Sequence, residues 1–263
     1  MSPTDELFTD GAAYERLMGR WSRRVGDVFL DWIEAPEGLR WLDVGCGTGV
    51  FTEQVIQGRA PAAMVGIDPS AEQLAFAEKR AGLTTAEFRV GDAQDLPFAE
   101  NSFDIAVMAL VIHFVPDPAK AVTDMARVLR PGGRAAAYAW DYTKGGSPVA
   151  PISAAMKAIG LESPGPPSPN ATSLPALEEF WRTAGFVEIG TRTIDILVEF
   201  ATFEEFWDSM TVPVGPAGKA IARLSPDSRA RLRSTLRERT PLAADGRVVY
   251  EARANAIKGV KQA

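Results

Sequence analysis

The chain predicts an α/β fold with a doubly wound parallel sheet, and three observations carry that reading. Short apolar runs alternate with amphipathic stretches, a glycine-rich turn follows the first run, and a carboxylate lies at or just past the end of the next two. Tyr14 to Ile33 sets Tyr14, Leu17, Met18, Trp21, Val25, Val28, Phe29 and Trp32 at helical spacing, so a helical arm precedes the first strand. Arg16, Arg20, Arg23 and Arg24 lie on or beside its other face. Arg40 to Val44 reads as a buried strand and Val50 to Gln57 as the start of its crossover helix. Ala63 to Ile67 is a second strand, Ser70 to Ala81 a helix with Asp68 and Ser70 as cap candidates, and Ala86 to Val90 a third strand. Phe103 to Ala109 is a fourth strand, Pro118 to Leu129 a helix, Pro131-Gly132-Gly133 a turn, and Arg134 to Trp140 a fifth strand.

From Asp141 to Pro175 the composition shifts to Pro, Gly and Ser, with only Val149 to Ile159 looking helical, as in a lid or a disordered linker. Leu174 to Ala184 resumes as a helix stopped by Gly185, and Phe186 to Phe200 is a strand. Two amphipathic helices, Thr202 to Met210 and Pro226 to Arg239, are separated by Val212-Pro213-Val214-Gly215-Pro216, and a last strand runs from Arg247 to about Lys258. The organisation expected is one domain over residues 1–263. Its parts are an arm (1–36), a nucleotide-binding core (37–141), a Pro/Gly-rich linker or lid (142–175), and a sheet-completing segment (176–263) with a helical insertion at about 202–244.

The turn Asp43-Val44-Gly45-Cys46-Gly47-Thr48-Gly49 sits where α/β sheets bind nucleotides. A dinucleotide fingerprint wants G-x-G-x-x-G, but Val50 holds the place of the last glycine and Gly49 arrives one residue early. A pyrophosphate on the helix N-terminus is repelled by a carboxylate such as Asp43, whereas a ligand carrying an ammonium is attracted. S-adenosylmethionine (SAM) has that ammonium and no phosphate, so the turn favours SAM over a dinucleotide. Asp68 follows about twenty residues after Gly49, where a carboxylate can accept from both ribose hydroxyls. Past the third strand, Asp92 can take the adenine amino group and the Ala93 amide can donate to the ring.

Composition narrows the partners. The formal net charge is −6 and no basic stripe interrupts it, so a nucleic-acid substrate is not expected. Cys46 is the single cysteine, which leaves no intrachain disulfide and no cysteine-built metal site. Met1 to Asp10 is polar and acidic, unlike a secretory leader, and no later run has the length of a membrane span; a cytoplasmic protein is expected. The glycosylation-type triplet Asn170-Ala171-Thr172 reads as a loop.

Five segments in order resemble the class I SAM-dependent methyltransferases, and more narrowly the small-molecule branch similar to ubiquinone and menaquinone biosynthesis methyltransferases. They are Trp41-Leu42-Asp43-Val44-Gly45-Cys46-Gly47-Thr48-Gly49, Gly66-Ile67-Asp68-Pro69-Ser70, Gly91-Asp92-Ala93-Gln94-Asp95-Leu96-Pro97-Phe98, Ser102-Phe103-Asp104, and Arg127-Val128-Leu129-Arg130-Pro131-Gly132-Gly133. The resemblance implies a Rossmann-like seven-stranded sheet with the last strand antiparallel, helical cap insertions, SAM as methyl donor and S-adenosylhomocysteine as product. It implies a donor site at Asp43, Gly45, Cys46, Gly47, Gly49, Asp68, Pro69, Asp92, Ala93 and Ala109. By the same resemblance the arm folds over the donor, and Arg20 or Tyr14 could bind the methionine carboxylate.

The acceptor expected is a small, partly apolar molecule, with methylation of a quinol-ring carbon, or SAM binding without transfer, as alternatives. His113, the only histidine, lies just past the fourth strand and is the candidate general base; bracing of the loop is the other use open to it. Asp141 and Tyr142 are weaker candidates for acceptor contacts. Phe203, Phe206, Trp207 and Met210 could line an acceptor pocket or pack the core, and Leu96, Pro97 and Phe98 could stack on adenine or pack. No metal site is expected, because magnesium needs several oxygens and Asp141 alone supplies too few.

Overall fold

The computed structural model describes residues 19–213 and 215–262. Helix α1 (Arg20–Ile33) precedes β1 (Arg40–Val44), α2 (Val50–Arg59), β2 (Ala63–Asp68), α3 (Ala71–Ala77), β3 (Ala86–Val90), β4 (Phe103–Ala109), α4 (Pro118–Val128) and β5 (Leu129–Trp140). Then come α5 (Ala150–Ala158), α6 (Leu174–Thr183), β6 (Phe186–Phe200), α7 (Phe203–Met210), α8 (Gly215–Ala222), α9 (Pro226–Arg239) and β7 (Val248–Lys261). The seven strands form one sheet in the order β3-β2-β1-β4-β5-β7-β6, with β7 antiparallel to both of its neighbours. The strand order reverses between β1 and β4, which opens a crevice at the carboxyl ends of these strands.

The two-residue period of the strands sorts side chains onto the sheet faces. On β5, Tyr138 and Trp140 pack with Phe29 of α1 and the late helices, while Ala135, Ala137 and Ala139 face α4 and α6. Alanines there let α6 come close enough for the Trp181 indole N–H to donate to the Ala135 carbonyl at 3.3 Å. Phe203, Phe206, Trp207 and Met210 are all buried in the first of these clusters, so α7 is core. Leu96 is buried with the second, and Phe98 meets Phe103 edge-on at 5.0 Å.

Several boundaries differ from the sequence expectation, each for a local reason. Pro131-Gly132-Gly133 is not a turn before β5. Leu129 already pairs with Phe103, and a register shift before Ile105↔Arg134 absorbs the residues between, with Gly132 at φ 74°. Helix α3 stops at Ala77, followed by a 3-10 turn at Ala81–Leu83. Its cap is Ser70, whose hydroxyl accepts from Gln73 N; Asp68 is not the cap. The separator around Gly215-Pro216 is the start of α8, proline being compatible with a first helical turn. The Pro/Gly-rich stretch is tied down: Ser168 N donates to the His113 carbonyl at 3.0 Å, and Asn255 Nδ2 to the Thr172 carbonyl at 2.8 Å. Among the described residues, no helix is long and apolar enough to cross a membrane.

Candidate active site

A cavity of about 220 Å³ opens at the carboxyl ends of β1 to β4. It is lined by Asp43, Gly45, Cys46, Gly47, Asp68, Pro69, Asp92, Ala93 and Ala109 from the set the sequence picks out. Gly49 is absent from that lining.

The three glycines of the turn have different tasks. All have positive φ, 76° at Gly45, 54° at Gly47 and 79° at Gly49, where a side chain is strained. A Cβ on Gly45 would lie 2.5 Å from Val111 Cγ1, and one on Gly49 2.5 Å from Leu83 Cδ1, so these two glycines admit neighbouring side chains. Only at Gly47 is the space open, the nearest atom being Gln73 Oε1 at 3.8 Å. Open space therefore explains the glycine at Gly47, and close packing the other two.

Asp43 sits at 1% exposure in this wall. Its Oδ2 accepts from the Thr52 hydroxyl at 2.7 Å, and Oδ1 has no partner among the described residues. Burial pushes its carboxyl up to about 7; the Thr52 bond opposes that rise and nearby Asp68 adds to it. Burial also raises the Cys46 thiol well above its usual range, so Cys46 is a neutral wall residue.

Asp68 organises the turn. Its Oδ2 accepts from Gly47 N and its Oδ1 from Ser70 N, both at 2.9 Å, which ties the end of β2 to the glycine loop and to the start of α3. Asp92 closes an Asx turn by accepting from Gln94 N at 2.8 Å, and the Gln94 side chain accepts in turn from Asp117 N at 3.0 Å.

The structure does not bring every candidate to the cavity. Tyr14 lies outside the described residues. Arg20 is turned away: its guanidinium donates to the Glu199 carbonyl at 2.8 Å and lies over the Trp21 and Phe200 rings at 4.1 and 4.7 Å. From the start of the same helix, its capping residue Gly19 and Ser22 reach the cavity instead. Asp141 is buried and accepts from Thr143 N, Thr143 Oγ1 and Lys144 N, so it caps a short turn.

His113 is fully buried beside the Phe114 and Tyr142 rings, at 4.2 and 4.9 Å, and does not line the cavity. Burial drives its pKa down to about 3, far below what a base at neutral pH needs. As the chain has a single histidine, its NMR signals give a direct check. They should stay constant between pH 5 and 8, and a titration midpoint near 6.5 would contradict this placement.

Sequence reasoning missed Thr52, Ser22, Gln73 and Tyr138. Thr52 falls three residues into the helix after the turn and carries no motif of its own. Ser22 lies in the arm, where the arginines drew attention. Among the described residues, no cluster of three or more His, Cys, Asp or Glu side chains could hold a metal ion.

A reversed strand order at β1/β4, a glycine turn at that switch point, an antiparallel β7, and carboxylates at the ends of β1 and β2 give the domain a Rossmann-like fold of the kind seen in methyltransferases. Residues 42–137 match the profile of the methyltransferase domain family. The chain is similar to the fatty-acid O-methyltransferase of Mycolicibacterium smegmatis, 39% identical over 97 residues, which cover 37% of this chain and 35% of that protein. It is 36% identical over 116 residues to 2-methyl-6-phytyl-1,4-hydroquinone methyltransferase 2 of Oryza sativa subsp. japonica, covering 44% of this chain and 33% of that one. The chain thus spans about a third of the length of these curated relatives. In fold it is similar to phosphoethanolamine N-methyltransferase 2 of Haemonchus contortus, solved with SAM, at TM-score 0.59 and 21% identity, covering 96% of this chain and 57% of that one.

Proposed function

We propose that this protein transfers the methyl group of SAM to a small, partly apolar acceptor, with the donor seated in the cavity at the ends of β1 to β4. The observation that carries the reading is Asp43, which lines the cavity and whose buried Oδ1 has no partner among the described residues. An unpaired buried acceptor is costly unless a ligand meets it, and the ammonium of SAM supplies the donor and the charge. Asp68 takes the ribose hydroxyls. Asp92 and the Ala93 amide take the adenine edge, and Gly47 lets the chain pass close to the ligand. With Asp43, Asp68 and Asp92 in one wall and no lysine or arginine in the described lining, a pyrophosphate would meet only repulsion.

SAM brings an electrophilic methyl on a sulfonium, and the protein's part is alignment and exclusion of water. Leu110, Val111, Phe114, Val115 and Pro116 form an apolar wall beside the donor residues. Such a wall suits an acceptor with a hydrocarbon or ring body and keeps water from the reacting carbon. With His113 buried and neutral, the acceptor is one that attacks without a histidine base. The apolar wall, together with the likeness to a hydroquinone methyltransferase, keeps ring-carbon methylation of a quinol as a second reading.

Calorimetry with SAM and with NAD tests the donor assignment. SAM should bind and NAD should not; the opposite result would overturn the function proposed. An acceptor panel of fatty acids, quinols and amines with methyl-labelled SAM then sorts the readings.

A further inference from the structure

We infer that Arg20 and Arg24 are positioning residues that latch helix α1 to the outermost strand, and so hold the Ser22 hydroxyl against the carboxylate end of the bound donor. This rests on the donor reading above. Arg20 Nη2 donates to the Glu199 carbonyl at 2.8 Å and Arg24 Nη1 to the Leu197 carbonyl at 3.1 Å. The two arginines are four residues apart on a helix, a rise of about 6 Å, and the two carbonyls are two residues apart on β6, a rise of about 6.6 Å. Alternate carbonyls leave a strand on the same side, so the two guanidinium groups meet a matched pair of acceptors. β6 is the last strand of the sheet. Both arginines also lie over the Trp21 ring, at 4.1 and 5.2 Å, and Trp21 meets Phe200 edge-on at 5.9 Å, so the contact is packed as well as hydrogen-bonded.

What the latch fixes is the other side of the same helical turn. Ser22 lies between Arg20 and Arg24 in sequence, lines the cavity, is 7% exposed, and its Oγ has no partner among the described residues. A buried hydroxyl at a ligand cavity is a donor in wait of an acceptor. Asp43, which takes the donor's ammonium in the function proposed, lines the same cavity, so the carboxylate on the same carbon of the ligand is the acceptor within its reach.

The test compares SAM with 5′-methylthioadenosine, which keeps the adenosine and lacks the amino-acid end. Calorimetry is run on the full chain, on Arg20→Met/Arg24→Met, which retains the apolar stems, and on Ser22→Ala. Both variants should weaken SAM about tenfold, the loss expected for a hydrogen bond to a charged group, and leave methylthioadenosine within about twofold. Arg24→Lys in place of Arg24→Met should recover part of the SAM affinity, since it keeps one donor. Equal weakening of both ligands would make the arm a structural element only and overturn the latch. So would unchanged SAM affinity in the double variant. If the unaltered chain binds methylthioadenosine and SAM equally, the carboxylate contact and the ammonium contact at Asp43 both fail and only an adenosine site stands; if it binds neither, the donor reading itself fails and the latch with it.

Discussion

Asparagine at position 43 should make the unliganded protein more stable at pH 8 and a much poorer binder of SAM. The Asp43 carboxyl has its pKa raised from 3.8 to about 7 by burial. An acid that holds its proton more tightly when folded contributes most to stability below its unfolded pKa, and that contribution is lost as pH rises through the folded value. For Asp43 the window is pH 4 to 7, and the full shift corresponds to about 4 kcal/mol. Above pH 7 the unliganded protein holds a buried, half-paired anion. Asparagine removes the charge, keeps the volume, and can still accept from Thr52, so chemical denaturation at pH 8 should show a gain of about 2–4 kcal/mol. The same change leaves the ammonium of SAM unmatched, for a loss of about 3 kcal/mol in affinity, or some hundredfold. In the native protein SAM should bind more weakly as pH falls below 7, with protons released on binding. Unaltered SAM affinity in Asp43→Asn would remove the carboxylate from the donor site.

His113 gives this prediction a second readout, because its shift has the opposite sense. Its pKa falls from 6.5 to about 3 on folding, so its contribution to stability is present above pH 6.5 and lost as pH drops. Between about pH 4 and 6.5 the two groups tilt the stability curve in opposite directions by similar amounts, and the native curve should be shallow there. Asp43→Asn uncovers the histidine slope: the variant should lose stability on acidification through that window faster than the parent.

Alanine at position 68 should damage both the fold of the turn and the donor site. The Asp68 carboxylate accepts from the amides of Gly47 and Ser70, and its loss strands two donors at the foot of the cavity. Each unmet donor costs about 1–3 kcal/mol where it is buried, less where water reaches it. Thermal denaturation should fall by about 4–8 °C, and SAM affinity by about 2–4 kcal/mol, since both the ribose contacts and the loop that frames them suffer. Asparagine at the same position keeps one acceptor oxygen and should lie between the two. A drop in melting temperature with undiminished SAM affinity would confine Asp68 to holding the turn.

The fold was legible where local pattern and tertiary environment agree. Strands β1 to β4 keep their expected ends within a residue, and β1, β2 and β3 are closed by Gly45, Asp68 and Gly91. The start of β5 was not legible: Pro131-Gly132-Gly133 is turn chemistry, and only pairing of Leu129 with Phe103 across the sheet makes it a bulge within a strand. Helix α8 was hidden for a related reason, Gly and Pro being as compatible with a helix start as with a break. At the site, residues fixed by the main chain could be placed at the cavity, as with Asp43, Asp68, Gly45 and Gly47, whereas Gly49 packs against Leu83. Residues fixed by long-range packing could not. Nothing near Arg20 in sequence says that its partner is the carbonyl of Glu199, and nothing near His113 says that the Tyr142 ring joins that of Phe114 against it.

The insertion of β7 between β5 and β6 has a consequence for the order in which the molecule is assembled. β6 is made before β7 but has no place in the sheet until β7 has docked on β5, so both join late. Helix α1, made before any of the seven strands, has its anchoring carbonyls on β6, and one wall of the cavity therefore waits for β7. A nascent or partly unfolded chain could hold β1 to β5 and still lack a closed cavity. Ligand capture would then report that the last strand has found its slot.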